Sequence, residues 1–63
     1  MTYKQAINLE KGQLVNVKIS NVTGAVIEVA EEMTMLGKEY INVSIILSNK
    51  NILKLKHKEI SFI

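Results

Sequence analysis

Apolar and polar residues alternate with period two along most of this chain, the spacing of strands that bury one face. Val15, Val17 and Ile19 share one side of a predicted strand at 13–20, with Asn16 and Lys18 on the other. Asn21 to Gly24 reads as a turn, because Asn and Gly both tolerate positive φ. A second strand follows at about 25–31. Its adjacent Val26 and Ile27 break the alternation, which predicts a bulge or a bend between two sheet faces. Residues 31–38, EEMTMLGK, lose the pattern and read as a loop or a short helical turn stopped by Gly37. Residues 39–48 restore it, with Ile41, Val43, Ile45 and Leu47 on one face and Asn42, Ser44 and Ile46 on the other. This is the longest and most apolar run, which places it centrally in a sheet. A turn at 48–51 leads to a fourth strand at 52–56 that buries Leu53 and Leu55. His57 to Ile60 forms one 3₁₀ turn, and a short strand at 61–63 ends the chain. The expectation is an all-β protein of five short strands.

With 63 residues the chain is read as one domain, 1–63, with 1–9 as a flexible or accessory N-terminal segment. A chain this short buries only about 60% of its unfolded surface, so its stability is marginal without support. Disulfides and thiolate metal sites are excluded because cysteine is absent, and His57 alone cannot build a structural zinc site. Self-association or an efficiently packed small barrel remains. At 48% hydrophobic and 22% charged the composition is that of a folded chain, rich in the isoleucine and valine that favour strands. No stretch approaches the roughly 20 apolar residues that span a bilayer, and MTYKQAINLEKG lacks the apolar core of a signal peptide. A soluble, cytoplasmic protein with no membrane partner is expected.

The Gly12-x-x-Val15 start and the segment Gly24-Ala25-Val26-Ile27-Glu28-Val29 resemble the opening of KOW-type domains. Together with five strands, an irregular connection and one helical turn before the last strand, they resemble an SH3-like barrel. The tail His57-Lys58-Glu59-Ile60-Ser61-Phe62-Ile63 is similar to that of a family of short proteins from low-GC Gram-positive bacteria and their phages. The resemblance covers most of residues 9–63 and departs at Ala30 to Lys38, which is longer than the corresponding connection. It implies a five-stranded SH3-like (KOW-type) small barrel with a longer loop between strands 2 and 3. Fold does not imply function.

Two surfaces could carry binding. Lys54, Lys56 and Lys58 alternate with Leu53, Leu55 and His57, which puts the lysines on one strand face about 7 Å apart. Residues 50–63 hold four lysines against one glutamate, while residues 1–49 hold four against five. A phosphate-binding stripe needs such an excess, so nucleic-acid backbone binding is the alternative reading. Lysine on an edge strand also discourages edge-to-edge aggregation. Arginine is absent, and Tyr3, Tyr40 and Phe62 are scattered, so base readout and a stacking platform have no support.

The second surface is Met33, Met35 and Leu36, an apolar cluster in the expected loop, joined by Ile46 on the outward side of its strand. Such residues either fold back over the barrel or meet a partner, and flexible methionines suit adaptable interfaces. His57 reads as a hydrogen-bonding residue rather than a base, because only Glu59 lies near it in sequence. None of the serines sits in a nucleophile elbow. The expected function is therefore a non-enzymatic binding module with a protein partner or a second copy of itself. Catalytic, cofactor and metal residues are expected to be none, and no small-molecule substrate is evident.

Overall fold

β1 (Leu14–Val17) turns its two buried valines, Val15 and Val17, toward the core and ends there. The computed structural model describes all 63 residues. Beyond Val17 the chain turns through Lys18–Asn21, closed by the Asn21 N–H donating to the Val17 carbonyl at 2.7 Å, with Asn21 at φ 56°. Ile19, expected in the core beside Val15 and Val17, is instead 97% exposed in this turn. Period two describes a strand only while it stays paired, and the pairing of β1 stops at Val17.

β2 (Val22–Met33) and β3 (Glu39–Leu47) form a long antiparallel hairpin. Gly24 lies inside β2 rather than in a turn, so the expected turn at 21–24 sits a few residues earlier. The predicted bulge is present: the register shifts between Val26 and Glu28, leaving Ile27 as the extra residue. The expected loop at 31–38 shortens to Thr34–Lys38. Thr34 N–H donates to the Lys38 carbonyl and Gly37 N–H to the Thr34 carbonyl, each at 2.9 Å. The additional residues lengthen the strands, because backbone ladders form whether or not a face is buried. Glu31, Glu32 and Met33 pair with Ile41, Tyr40 and Glu39.

β4 (Ile52–Lys56) pairs with β3, and a 3₁₀ turn at His57–Glu59 leads into β5 (Ile60–Phe62), which pairs back with β1. The result is one antiparallel sheet in the order β4-β3-β2-β1-β5. β3 is internal, as expected, although β2 is longer and takes the middle position. The protein is mostly strand, but the expected closed barrel is not formed: β4 and β5 stand at opposite ends of the order.

A short helix packs on the core side of the sheet. α1 (Tyr3–Ile7) begins with a capping box, Thr2 Oγ1 accepting the Gln5 N–H and Gln5 Oε1 accepting the Thr2 N–H. It packs against β2, β3 and the 3₁₀ turn, and delivers Ala6 and Leu9 to a core of Val15, Val17, Val26, Ile41, Val43, Ile45 and Ile60. The Met1 amino group donates to the Ile60 carbonyl at 2.8 Å. The N-terminal segment, read as flexible or accessory, is thus part of the core. No helix is long and apolar enough to cross a membrane.

Candidate functional site

The β2–β3 hairpin runs past both of its neighbours. Pairing with β1 ends at Ala25 and pairing with β4 ends at Asn42, so the distal part is a two-stranded arm. The molecule is accordingly elongated, 35 × 19 × 17 Å. Met33, Met35 and Leu36 occupy the end of the arm at 60%, 105% and 98% exposure, and nothing in the chain folds over them. The alternative of a loop capping its own core is therefore removed. The shaft behind them carries exposed Glu28, Glu31, Glu32 and Glu39.

Ile46 is not part of this tip. It sits half-buried in a cross-strand row, Leu14–Ala25–Ile46–Ile52, on the sheet face opposite the core. Along β3 it lies seven residues from Glu39, the partner of Met33, a separation of roughly 23 Å. The four residues first grouped as one surface are two separate patches.

The lysines are also redistributed. Lys54 and Lys56 are exposed on the same side of β4, which is an edge strand. Lys54 stands in register with Ser44 and, through it, Glu28, so a carboxylate lies on its row. Lys56 and Lys58 instead line a pocket of about 200 Å³ with Thr34, Lys38, Glu39, Tyr40 and His57. The Lys56 ammonium rests 4.9 Å from the centroid of the Tyr40 ring, a cation–π contact. Lys38 comes from the hairpin turn, twenty residues before Lys58, and no local pattern in the chain links the two.

His57 forms the inner wall. Its Nδ1 accepts the Ile41 N–H at 3.1 Å, and the residue is only 6% exposed. The expected hydrogen-bonding role is met, though the bond reaches β3 rather than closing the turn. Burial first, then Lys58, the Met1 amino group and Lys38, hold the imidazole pKa below its ordinary value. The Tyr3 ring packs edge-on against it, with centroids 5.9 Å apart. Burial together with Glu31 and Glu39 raises the pKa of the Tyr3 phenol, which donates to Glu31 Oε1 at 3.5 Å. No three His, Asp or Glu side chains converge as a metal-ligand set.

The chain matches no protein-family model, no curated protein and no solved structure.

Proposed function

We propose that this protein is a non-enzymatic binding module that engages another protein through the tip of its β2–β3 arm. The observation that carries the reading is the exposure of Met33, Met35 and Leu36 at the end of an otherwise polar shaft. A chain this small has little apolar area to spare, and three large apolar side chains held in water forgo burial worth about 25 cal/mol per Å². The carboxylates of Glu28, Glu31, Glu32 and Glu39 along the shaft suit a partner with an apolar socket rimmed by lysine or arginine. We read the sheet that carries the arm as an open member of the SH3-like, KOW-type class suggested by the sequence, with the arm as its departure from that class at Ala30 to Lys38. Five antiparallel strands and the 3₁₀ turn before β5 support that assignment.

The double variant Met33→Ser/Met35→Ser tests the reading. Its melting temperature should match the parent, because the tip contributes nothing to the core. A protein captured stoichiometrically by the parent should be lost by the variant. If the arm joins two copies, light scattering will report a dimer that the variant converts to monomer. A variant that keeps all binding and assembly of the parent refutes the arm as the interface.

A further inference from the structure

We propose that the pocket between the hairpin turn and the end of β4 binds a phosphate dianion, free or as the terminal group of a small phosphate monoester. This goes beyond the docking reading, since it uses none of Met33, Met35 and Leu36. Three lysines from three elements line the pocket: Lys38 from the turn, Lys56 from the end of β4 and Lys58 from the 3₁₀ turn. Against them stands one carboxylate, Glu39, so the wall carries a net excess of two positive charges. Like charges brought together repel, and a compact dianion among them removes that repulsion. Lys56 is steadied by its seat over Tyr40, which spares part of the rotamer entropy that binding would otherwise cost.

His57 supplies the second, independent observation. Because Nδ1 accepts the Ile41 N–H, the neutral ring carries its proton on Nε2. That Nε2–H has no acceptor within the protein, yet no buried side-chain polar atom is left without a partner, so Nε2 reaches solvent. His57 is one of the residues that line the pocket. A side chain more than nine-tenths buried thus presents an unpartnered donor beside three lysines. Thr34 Oγ1 accepts the Lys38 N–H at 3.0 Å, leaving its own hydroxyl proton free to donate.

The size and the shape of the donor set select the ligand. A pocket of about 200 Å³ has room for a phosphate group. Cations from three directions suit a tetrahedral dianion better than a planar carboxylate. A polynucleotide is disfavoured because the Tyr40 face is already covered by Lys56, and Lys54 lies outside the pocket.

The test is an NMR titration of the full chain at low ionic strength with sodium phosphate. Glycerol phosphate, sodium chloride at matched ionic strength, and an oligonucleotide without terminal phosphate serve as parallel arms. Saturable shifts of the Ile41 amide and the His57 ring nitrogens are expected with phosphate or glycerol phosphate and not with chloride. Whichever of the two binds more tightly distinguishes the free ion from the monoester. Removing one charged donor in Lys38→Gln or Lys58→Gln should weaken binding by about tenfold, with Lys54→Gln unchanged. Shifts that chloride reproduces, or equal losses in Lys54→Gln and Lys58→Gln, would overturn the site in favour of diffuse charge. Tighter binding of the oligonucleotide than of phosphate would replace it with a backbone-binding surface.

Discussion

The Nδ1 atom of His57 accepts the backbone N–H of Ile41 at 3.1 Å, where β3 outruns β4. The last residue pair of that ladder is Asn42 with Lys56, so the imidazole follows directly after it and stands in for the missing carbonyl. A buried donor that loses its acceptor costs about 1–3 kcal/mol. His57→Ala should lower stability by at least that amount in urea unfolding. His57→Asn, whose Oδ1 can occupy much the same place, should lose less. Equal losses in the two variants would show that ring packing, not the hydrogen bond, is what matters.

Stability should fall in acid through the same residue. The imidazole pKa is lowered in the fold, so the unfolded chain binds the proton more readily. The His57 contribution is therefore full above the unfolded value of about 6.5 and lost as pH falls from there toward the folded value. Positive charge from Lys58, the Met1 amino group and Lys38 acts on the ring, and protonated Nδ1 would confront the Ile41 N–H donor to donor. The Met1 amino group, itself lowered from 8.0 mainly by burial, adds a similar decline that begins at higher pH. Urea midpoints measured from pH 8 to pH 5 should drop, and His57→Asn should flatten the part below about pH 6.5. A variant with an unaltered profile would refute the assignment.

Two glycines should respond to substitution for different reasons. A Cβ on Gly24 would lie 2.9 Å from Ile45 Cδ1 and 3.1 Å from the Ile46 carbonyl oxygen, which belongs to the neighbouring backbone and cannot yield freely. Gly24→Ala should cost about 1–3 kcal/mol as overpacking, and Gly24→Asn more. Gly37 faces open space at φ +84°, so Gly37→Ala should cost about 1–2 kcal/mol in backbone strain alone. Gly37→Asn should recover part of that loss, because Asn tolerates the left-handed region. Thermal melts of the four variants decide it, and the opposite Asn effects are the discriminating result.

The N-terminal segment should be indispensable. Leu9 is nearly buried and Ala6 wholly so, and Leu9→Ala should cost about 2–5 kcal/mol. For 63 residues that is a large share of the roughly 3–9 kcal/mol expected in total. Removing residues 1–9 should collapse the dispersion of amide proton shifts. A truncated chain that melts like the parent would contradict the packing of α1.

Much of this architecture was legible before folding. β3, β4, the bulge after Val26 and the 3₁₀ turn after Lys56 all follow from alternation and turn chemistry, which neighbouring residues decide among themselves. The helix α1 was missed, residues 1–9 having been read as a flexible or accessory segment, because a single helical turn has no periodicity to reveal it. The arm escaped notice because Glu31, Glu32 and Met33 pair through backbone groups and do not alternate between apolar and polar. Ile19 misled in the opposite sense, continuing a pattern beyond the end of its strand.

The sequence by itself determined that β3 and β4 extend, that a bulge follows Val26 and that His57 would be a hydrogen-bonding residue, because side-chain alternation and turn preferences are local. Only the tertiary structure decided that the sheet stays open with α1 packed on β2 and β3, and that Ile46 lies far from Met33. It alone also brought Lys38 to Lys56 and Lys58. These outcomes depend on pairing register and on packing between residues distant in the chain. There the energy of a contact is set by what the whole fold brings against it, and no local pattern encodes that.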